Sequence, residues 1–174
     1  MGYVMVMVLL PVYAKENFNI LENQYDFIMA TNAVIVVLFQ YSVTNLTKRY
    51  RALPILSVGT IFYLLGLGVI FFASDFPTFI LSIVILTIGE MIIVPTSTTY
   101  TANLAPPDMR ARYMSIYGIT FGIVLGIGPV IGGYLYDHIA PGAIWIGAMI
   151  LSALGIIGFL LLNTVTRPNV QQSV

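Results

Sequence analysis

Six long apolar runs, separated by short polar stretches, make up nearly the whole chain. The run at residues 53–73 contains no charged side chain. A helix that crosses a bilayer needs about 20 mostly apolar residues, whereas the strands of a membrane barrel alternate apolar and polar residues over about 10 positions. We therefore predict an all-α, polytopic membrane protein with six transmembrane helices. The predicted helices are residues 1–14, 27–46, 53–73, 77–100, 113–136 and 143–162.

The composition supports this fold class and argues against several functions. Charged residues make up 8% of the 174 positions, against about a quarter in soluble domains. Cysteine is absent and histidine occurs once, at His138, so neither a disulfide framework nor a metal site is expected. The formal net charge is zero and no basic tract suited to nucleic acid is present. Nucleotide-binding and hydrolase motifs are also absent, so we expect neither an enzyme nor a cofactor.

The basic residues indicate the orientation of the chain in the membrane. The loop between the second and third runs, the loop between the fourth and fifth runs, and the tail lie on the same side of the membrane. These three stretches carry six basic residues: Lys48, Arg49, Arg51, Arg110, Arg112 and Arg167. On the other side, Lys15 is the only Lys or Arg. Because cytoplasmic loops are rich in Lys and Arg, we expect both termini in the cytoplasm and a multi-pass protein of the plasma (inner) membrane. Residues 1–163 would form one six-helix repeat, and residues 164–174 a cytoplasmic tail.

The first apolar run is short for a membrane helix. The 14 residues before Lys15 would span about 21 Å as a helix, against about 30 Å of hydrocarbon. No charged region precedes the run, so it does not resemble a signal peptide. The chain begins as if inside a helix, and an internal methionine could have been taken as the initiator at Met1. A short helix that thins the bilayer locally is the alternative.

Glu90 is an ionisable residue in the middle of the fourth run. At 100° per residue, Thr87 and Ser97 lie within about 60° of it around the helix, so the three form one polar stripe. An ionised side chain at the bilayer centre costs at least about 2.5 kcal/mol. Glu90 should therefore face the bundle interior or a water-filled cavity, where it would bind a proton or a cationic substrate. The alternative is a protonated glutamate that only packs against a neighbouring helix.

The second run and the region after Glu90 contribute further candidates. Asn32 and Gln40 lie about 80° apart around the second helix, where they could line an aqueous path or form hydrogen bonds between helices. Pro95 removes one helix hydrogen bond and clashes near the carbonyl of Met91, so a hinge is expected, although membrane helices tolerate proline well. The predicted substrate or proton site comprises Glu90, Thr87, Ser97, Asn32 and Gln40.

Glycines mark the third and fifth runs. In the fifth run Gly118, Gly122 and Gly126 recur every four residues, a spacing that lets another helix approach closely. We therefore expect a close helix partner for this run. The third run, with Gly59 and Gly66, is expected to be part of the scaffold. The end of the fifth run carries Gly128, Pro129, Gly132 and Gly133.

Three stretches of the chain carry a resemblance to a known family. They are "GEMIIVPTSTTYTANLAPPDMRARYMSIYGITFGIVLGIGPVIGG" at residues 89–133, "NLTKRYRALP" at residues 45–54 and "GPVIGG" at residues 128–133. The first is similar to the tenth helix, basic loop and eleventh helix of drug-efflux-type members of the major facilitator superfamily. The second resembles a degenerate G-x-x-x-D-r-x-G-r-k loop, and the third the G-P-x-x-G-G end of the antiporter motif. The whole chain resembles the C-terminal half of such a twelve-helix transporter.

The chain also departs from these family motifs. The loop at residues 45–54 lacks the Gly and Asp of the N-terminal motif. Val124 occupies a glycine position of the antiporter motif. Glu90 stands where the N-terminal half of many antiporters has an arginine. What the resemblance implies is limited to two roles. They are a cytoplasmic gating loop at Lys48, Arg49 and Arg51, and a helix bend at Gly128, Pro129, Gly132 and Gly133.

The resemblance implies secondary transport of a small molecule, with proton-coupled efflux as the expected form. In this family the first and fourth helices of each half line the central cavity, which implies that Glu90 faces it. The implied partners are the lipid bilayer, a small-molecule substrate with protons, and a missing N-terminal half or a second copy, because substrate sites lie between two six-helix repeats. The alternatives are a half-transporter that needs a partner and a membrane structural or regulatory subunit that does not transport.

Overall fold

Six α-helices and one short 3₁₀-helix make up most of the computed structural model, which describes residues 2–18 and 20–166. No strand occurs among these residues. The α-helices are α1 (Gly2–Phe18), α2 (Glu22–Thr47), α3 (Ala52–Phe72), α4 (Phe76–Leu104), α5 (Arg110–His138) and α6 (Ala143–Thr166). All but α1 are long and apolar enough to cross a membrane by length and composition. The all-α, polytopic fold class predicted from the sequence is confirmed.

Most helices extend beyond the apolar runs, because polar residues continue them into the water-exposed layers. α2 begins at Glu22 and α4 continues to Leu104. α1 has 17 residues, which corresponds to about 25 Å. α6 continues to Thr166, which includes the first residues of the predicted tail. Residues 167–174, with Arg167, and the start residue Met1 lie outside the described residues.

The sequence at the start of α4 sets the position of Glu90 in that helix. The carboxylate of Asp75 caps the helix and accepts a hydrogen bond from the backbone N–H of Thr78 at 3.2 Å. Pro77 lies in the first turn, where its missing N–H costs nothing because that group would have no intrahelical partner. Pro95, in contrast, lies inside the helix. Glu90 is the central residue of α4, with fourteen residues on each side.

α3 and α4 pack closely because glycines face the contact. A Cβ atom built on Gly66 would lie 2.5 Å from Leu86 Cγ, and one built on Gly59 would lie 2.7 Å from Ile93 Cγ1. A Cβ atom on Gly89 would lie 2.8 Å from the backbone oxygen of Gly59. We call Gly59, Gly66 and Gly89 the glycine seam. Because α3 also packs along α6, it is held on two sides, as a scaffold helix would be.

The main core surrounds Trp145 of α6, whose side chain is fully buried. Tyr13 of α1 packs edge-on against it, with the ring centroids 5.2 Å apart. Phe18 of α1 packs against Phe79 of α4 in the same way, at 5.6 Å. Tyr136 of α5 donates a hydrogen bond to the carboxylate of Glu16 at 2.6 Å. These contacts hold α1 against the rest of the bundle.

The outer surfaces of α2 and α5 are largely exposed in the described part of the chain. Val37 and Tyr41 of α2 are 82% and 81% exposed, and Val130 of α5 is 70% exposed. Side chains of this kind belong in lipid or against another protein surface, because large exposed apolar patches are rare on soluble monomers. α2 packs mainly on α4, and α5 mainly on α1.

Five of the basic side chains gather at one end of the bundle, because successive helices run in opposite directions. Lys48 and Arg49 follow α2, and Arg51 precedes α3. Arg110 and Arg112 lie in the first turn of α5 rather than in the predicted loop. The reason is that the 3₁₀-helix, Pro107–Met109, leads directly into α5. Long charged side chains stay solvated on a helix end outside the hydrocarbon. All five side chains are exposed.

Candidate functional site between α2, α4 and α5

The centre of the candidate site is the carboxylate of Glu90, half-buried in the middle of α4. The amide nitrogen of Asn32, on α2, donates a hydrogen bond to Glu90 Oε2 at 2.9 Å. The same nitrogen donates to Thr87 Oγ1, also at 2.9 Å. One amide group of α2 therefore holds two members of the predicted polar stripe of α4, and the structure brings Asn32, Thr87 and Glu90 together.

Thr87 completes the hydrogen bonding of this cluster. Its side chain is fully buried, and its hydroxyl donates to the backbone oxygen of Ile83 at 2.7 Å. The hydroxyl oxygen is then free to accept from Asn32, so the buried threonine uses both its donor and an acceptor. Satisfied in this way, a buried hydroxyl carries no desolvation penalty that would oppose the contact between α2 and α4.

The partner of Glu90 is neutral, which determines what the cluster can do chemically. Among the described residues, the hydrogen bond to Glu90 comes from an amide and not from a cation. A carboxyl oxygen can accept from that amide both when the group is ionised and when it is protonated. A proton can therefore be gained or lost at Glu90 without breaking an ion pair. The described residues contain no cluster of three His, Asp or Glu that could hold a metal ion.

Gln40 forms the second contact between α2 and α4. Its amide nitrogen donates to the backbone oxygen of Met91 at 3.2 Å and to Thr44 Oγ1 at 2.9 Å. We call Asn32 and Gln40, with Thr87, Glu90 and the Met91 carbonyl, the amide seam. The sequence predicted both amides as candidates, but it did not indicate that one would bind a side chain and the other a backbone carbonyl.

Ser97 lies apart from the cluster, although it belongs to the predicted stripe. It is seven residues after Glu90, or about 10.5 Å along the helix. Its hydroxyl bonds to the backbone oxygen of Ile93 at 2.7 Å and to the hydroxyl of Tyr117, on α5, at 2.8 Å. The stripe therefore divides: its first part contacts α2 and its last part contacts α5.

Tyr117 is a residue that the sequence reasoning missed. Its ring packs edge-on against Phe121, with the centroids 5.7 Å apart, and its hydroxyl connects α5 to Ser97. The available signal was the spacing of four between Tyr113, Tyr117 and Phe121, which places three aromatic rings on one face of α5.

The glycines of α5 fall into two groups. No described atom would lie within 4 Å of a Cβ built on Gly118, Gly122 or Gly126, so the close partner expected for this face is not among the described residues. The later glycines contact α1: a Cβ on Gly128 would lie 3.7 Å from Val4, and one on Gly132 would overlap the side chain of Leu9. Gly133 is open. Pro129 lies inside α5 in this region.

Comparison with known proteins assigns the family. The chain matches the Major Facilitator Superfamily over residues 1–173. It is 29% identical to an uncharacterized MFS-type transporter, YttB, of Bacillus subtilis over 134 residues, 76% of this chain and 34% of the relative. It is 31% identical to the class H tetracycline resistance protein of Pasteurella multocida over 144 residues, 78% of this chain and 34% of that protein. It is 30% identical to the multidrug resistance protein MdtH of Aeromonas salmonicida over 118 residues, 66% of this chain and 29% of that protein.

The matched region spans about a third of the length of these curated relatives. The family match, in contrast, covers nearly every residue of this chain. Six helices, five of them long and apolar enough to span a bilayer, agree with half of the twelve-helix fold. The chain is a multi-pass membrane protein that belongs to the Major Facilitator Superfamily.

Proposed function

We propose that this chain is the C-terminal half of a secondary transporter that exports a small molecule in exchange for protons, with Glu90 as the proton-binding residue. The observation that carries the proposal is the cluster of Asn32, Thr87 and Glu90 at the centre of α4. An ionisable residue at mid-membrane depth is costly and marks an ion or substrate pathway more often than a packing contact.

The neutral partner of Glu90 supports a role in proton exchange. If a lysine or arginine held the carboxylate, protonation would leave a cation without its counter-ion, at considerable cost in a membrane. With Asn32 as the donor, protonation only removes the charge of Glu90. The cluster can therefore alternate between two protonation states while α2 and α4 stay in contact.

The relatives and the exposed helices support the remaining parts of the proposal. Two relatives are named for resistance to tetracycline and to multiple drugs, which favours export of a small organic molecule. The exposed apolar faces of α2 and α5 would be covered by an N-terminal half or by a second copy. The basic end of the bundle would face the cytoplasm from the plasma membrane, because cytoplasmic ends of membrane proteins are rich in Lys and Arg.

Proton exchange can be measured in inverted membrane vesicles from cells that produce the native gene product. Respiration acidifies the vesicle lumen and quenches an acridine dye. Ethidium and tetracycline serve as probe substrates, and vesicles from cells without the gene are the control. An exporter that exchanges substrate for protons should restore fluorescence when a probe is added. If neither probe releases protons or accumulates in the lumen, the exchange of these substrates is refuted.

The native product must be measured in the same vesicles. An antibody against the sequence "TRPNVQQSV" at the end of the chain reports its size on a blot. A band at about twice the mass of this chain identifies a twelve-helix transporter. A band at the mass of this chain requires a second copy or a separate half for transport. If proton exchange is absent, whichever band is found, a structural or regulatory subunit would be favoured.

A further inference from the structure

Pro95 leaves a backbone carbonyl of α4 without its usual partner. In an α-helix the N–H of each residue donates to the carbonyl four residues earlier. Proline has no N–H, so the carbonyl of Met91 receives nothing from position 95. Water does not replace the lost donor in hydrocarbon, and a neighbouring helix must supply one. Met91 is 2% exposed, so a carbonyl without a hydrogen bond at this position would destabilise the bundle.

Gln40 supplies the missing donor from α2. Its amide nitrogen lies 3.2 Å from the Met91 carbonyl oxygen and 2.9 Å from Thr44 Oγ1. A glutamine amide has two N–H donors, so one can serve each acceptor. Thr44 lies one turn further along α2 and fixes the direction of the Gln40 side chain. The amide is therefore directed at α4 by its own helix.

The position of this contact links it to the candidate site. Met91 directly follows Glu90, and Gln40 is two helical turns beyond Asn32 on α2. α2 thus holds Glu90 by its side chain and holds the backbone immediately after it. Beyond the proline, Ser97 connects α4 to Tyr117 of α5 instead.

We propose that Gln40 is a positioning residue: it binds the carbonyl that Pro95 leaves free and thereby fixes Glu90 against Asn32. The proposal rests on the proposed role of Glu90 as the proton-binding residue. The part of α4 before Pro95 then moves with α2, and the part after it is free to follow α5. Pro95 thus lies between a part of α4 that contacts α2 and a part that contacts α5, and Gln40 holds Glu90 in the first part.

A double-mutant cycle between Gln40 and Pro95 tests the contact itself. Gln40→Met removes the donor at similar side-chain length, and Pro95→Ala restores the backbone N–H to Met91. The thermal midpoint is followed by the fluorescence of the single tryptophan, Trp145, which is fully buried. We expect Gln40→Met to lower the midpoint by about 2–4 °C and to have less than a third of that effect in the Pro95→Ala chain.

A matched control uses the other proline inside a long helix. Pro129→Ala changes α5 but cannot restore a donor to Met91, so Gln40→Met should cost as much with Pro129→Ala as without it. If Gln40→Met alone does not yield folded protein, its combination with Pro95→Ala should, and its combination with Pro129→Ala should not. An equal cost of Gln40→Met in the Pro95 and Pro95→Ala chains would overturn the proposal.

The positioning of Glu90 needs a readout that stability alone does not move. Infrared difference spectra against Glu90→Gln assign the carbonyl stretch of the Glu90 carboxyl group, which reports its hydrogen bond. Gln40→Met should shift this band, and Pro95→Ala should return it to the wild-type position. An unshifted band would show that Gln40 does not position Glu90. Neither experiment uses transport, so a failure of proton exchange would overturn the proposed function and leave this result intact.

Discussion

The two long contacts of α4 differ in kind. Toward α3, contact depends on the absence of side chains, because a Cβ on Gly89 would lie 2.8 Å from the backbone of Gly59. Toward α2, contact depends on the presence of long polar side chains, since Asn32 and Gln40 reach across to Glu90 and to the Met91 carbonyl. The glycine seam and the amide seam thus meet the same helix at the adjacent residues Gly89 and Glu90.

This difference separates a rigid contact from an adjustable one. The close backbone contact between α3 and α4 is rigid, because a packed interior responds to added volume with strain. Amide groups can exchange one acceptor for another at small cost, since hydrogen bonds in membranes contribute only about 0.6 kcal/mol on average. We infer that the glycine seam keeps the bundle together and that the amide seam adapts when the charge of Glu90 changes.

The largest stability effect is expected at the glycine seam. Gly89→Ala places a methyl group against the backbone oxygen of Gly59 and against the ring of Tyr63. Overpacking of this kind costs about 1–3 kcal/mol, or roughly 2–10 °C in the thermal midpoint. The midpoint is measured on the purified protein in detergent or nanodiscs. Gly133→Ala, where no neighbour lies within 4 Å, is the control. An unchanged midpoint for Gly89→Ala would remove the distinction between the seams.

A smaller effect is expected when the amide seam loses its donor. Asn32→Leu leaves Thr87 and Glu90 without the shared amide. Two hydrogen bonds of the average strength in membranes give an expected loss of about 1 kcal/mol. Thr31→Val is the matched control, because the hydroxyl of Thr31 donates to the carbonyl of Phe27 within its own helix, α2. Chemical or thermal unfolding of both variants gives the comparison. Equal losses at the two positions would mean that the contact between α2 and α4 contributes nothing specific.

The smallest effect is expected on the open face of α5. Gly122→Ala adds a methyl group where the described chain has no neighbour, and alanine favours the helix over glycine, so the free energy of unfolding of the chain alone should not decrease. In the assembly that we propose, with an N-terminal half or a second copy on this face, the same methyl group should weaken the contact. Cross-linking or size-exclusion chromatography of the native assembly measures that difference. A loss of stability in the isolated chain would show that a helix of the same chain covers this face.

The length of the apolar runs was enough to predict the helices, and helical periodicity predicted the polar stripe of α4. Thr87 and Glu90 share one partner because 3.6 residues per turn places them on one face. The same argument could not separate Ser97 from Thr87 and Glu90. Position on a helix face alone does not say which neighbouring helix each part of a long face will contact. It also could not match Gln40 with the Met91 carbonyl. The effect of Pro95 on that carbonyl is local, but the rotation of α2 that supplies the donor is set by tertiary packing.

We propose that Glu90 serves transport, whereas its neighbour Gly89 serves the fold. The most direct test measures proton exchange and the thermal midpoint on the same preparations of Glu90→Gln, beside Gly89→Ala. The glutamine amide keeps the shape of Glu90 but cannot bind and release a proton. We predict that Glu90→Gln abolishes proton exchange and leaves the midpoint within about 2 °C of the wild type. Proton exchange that survives, or a midpoint that falls as far as in Gly89→Ala, would show that Glu90 is a packing residue.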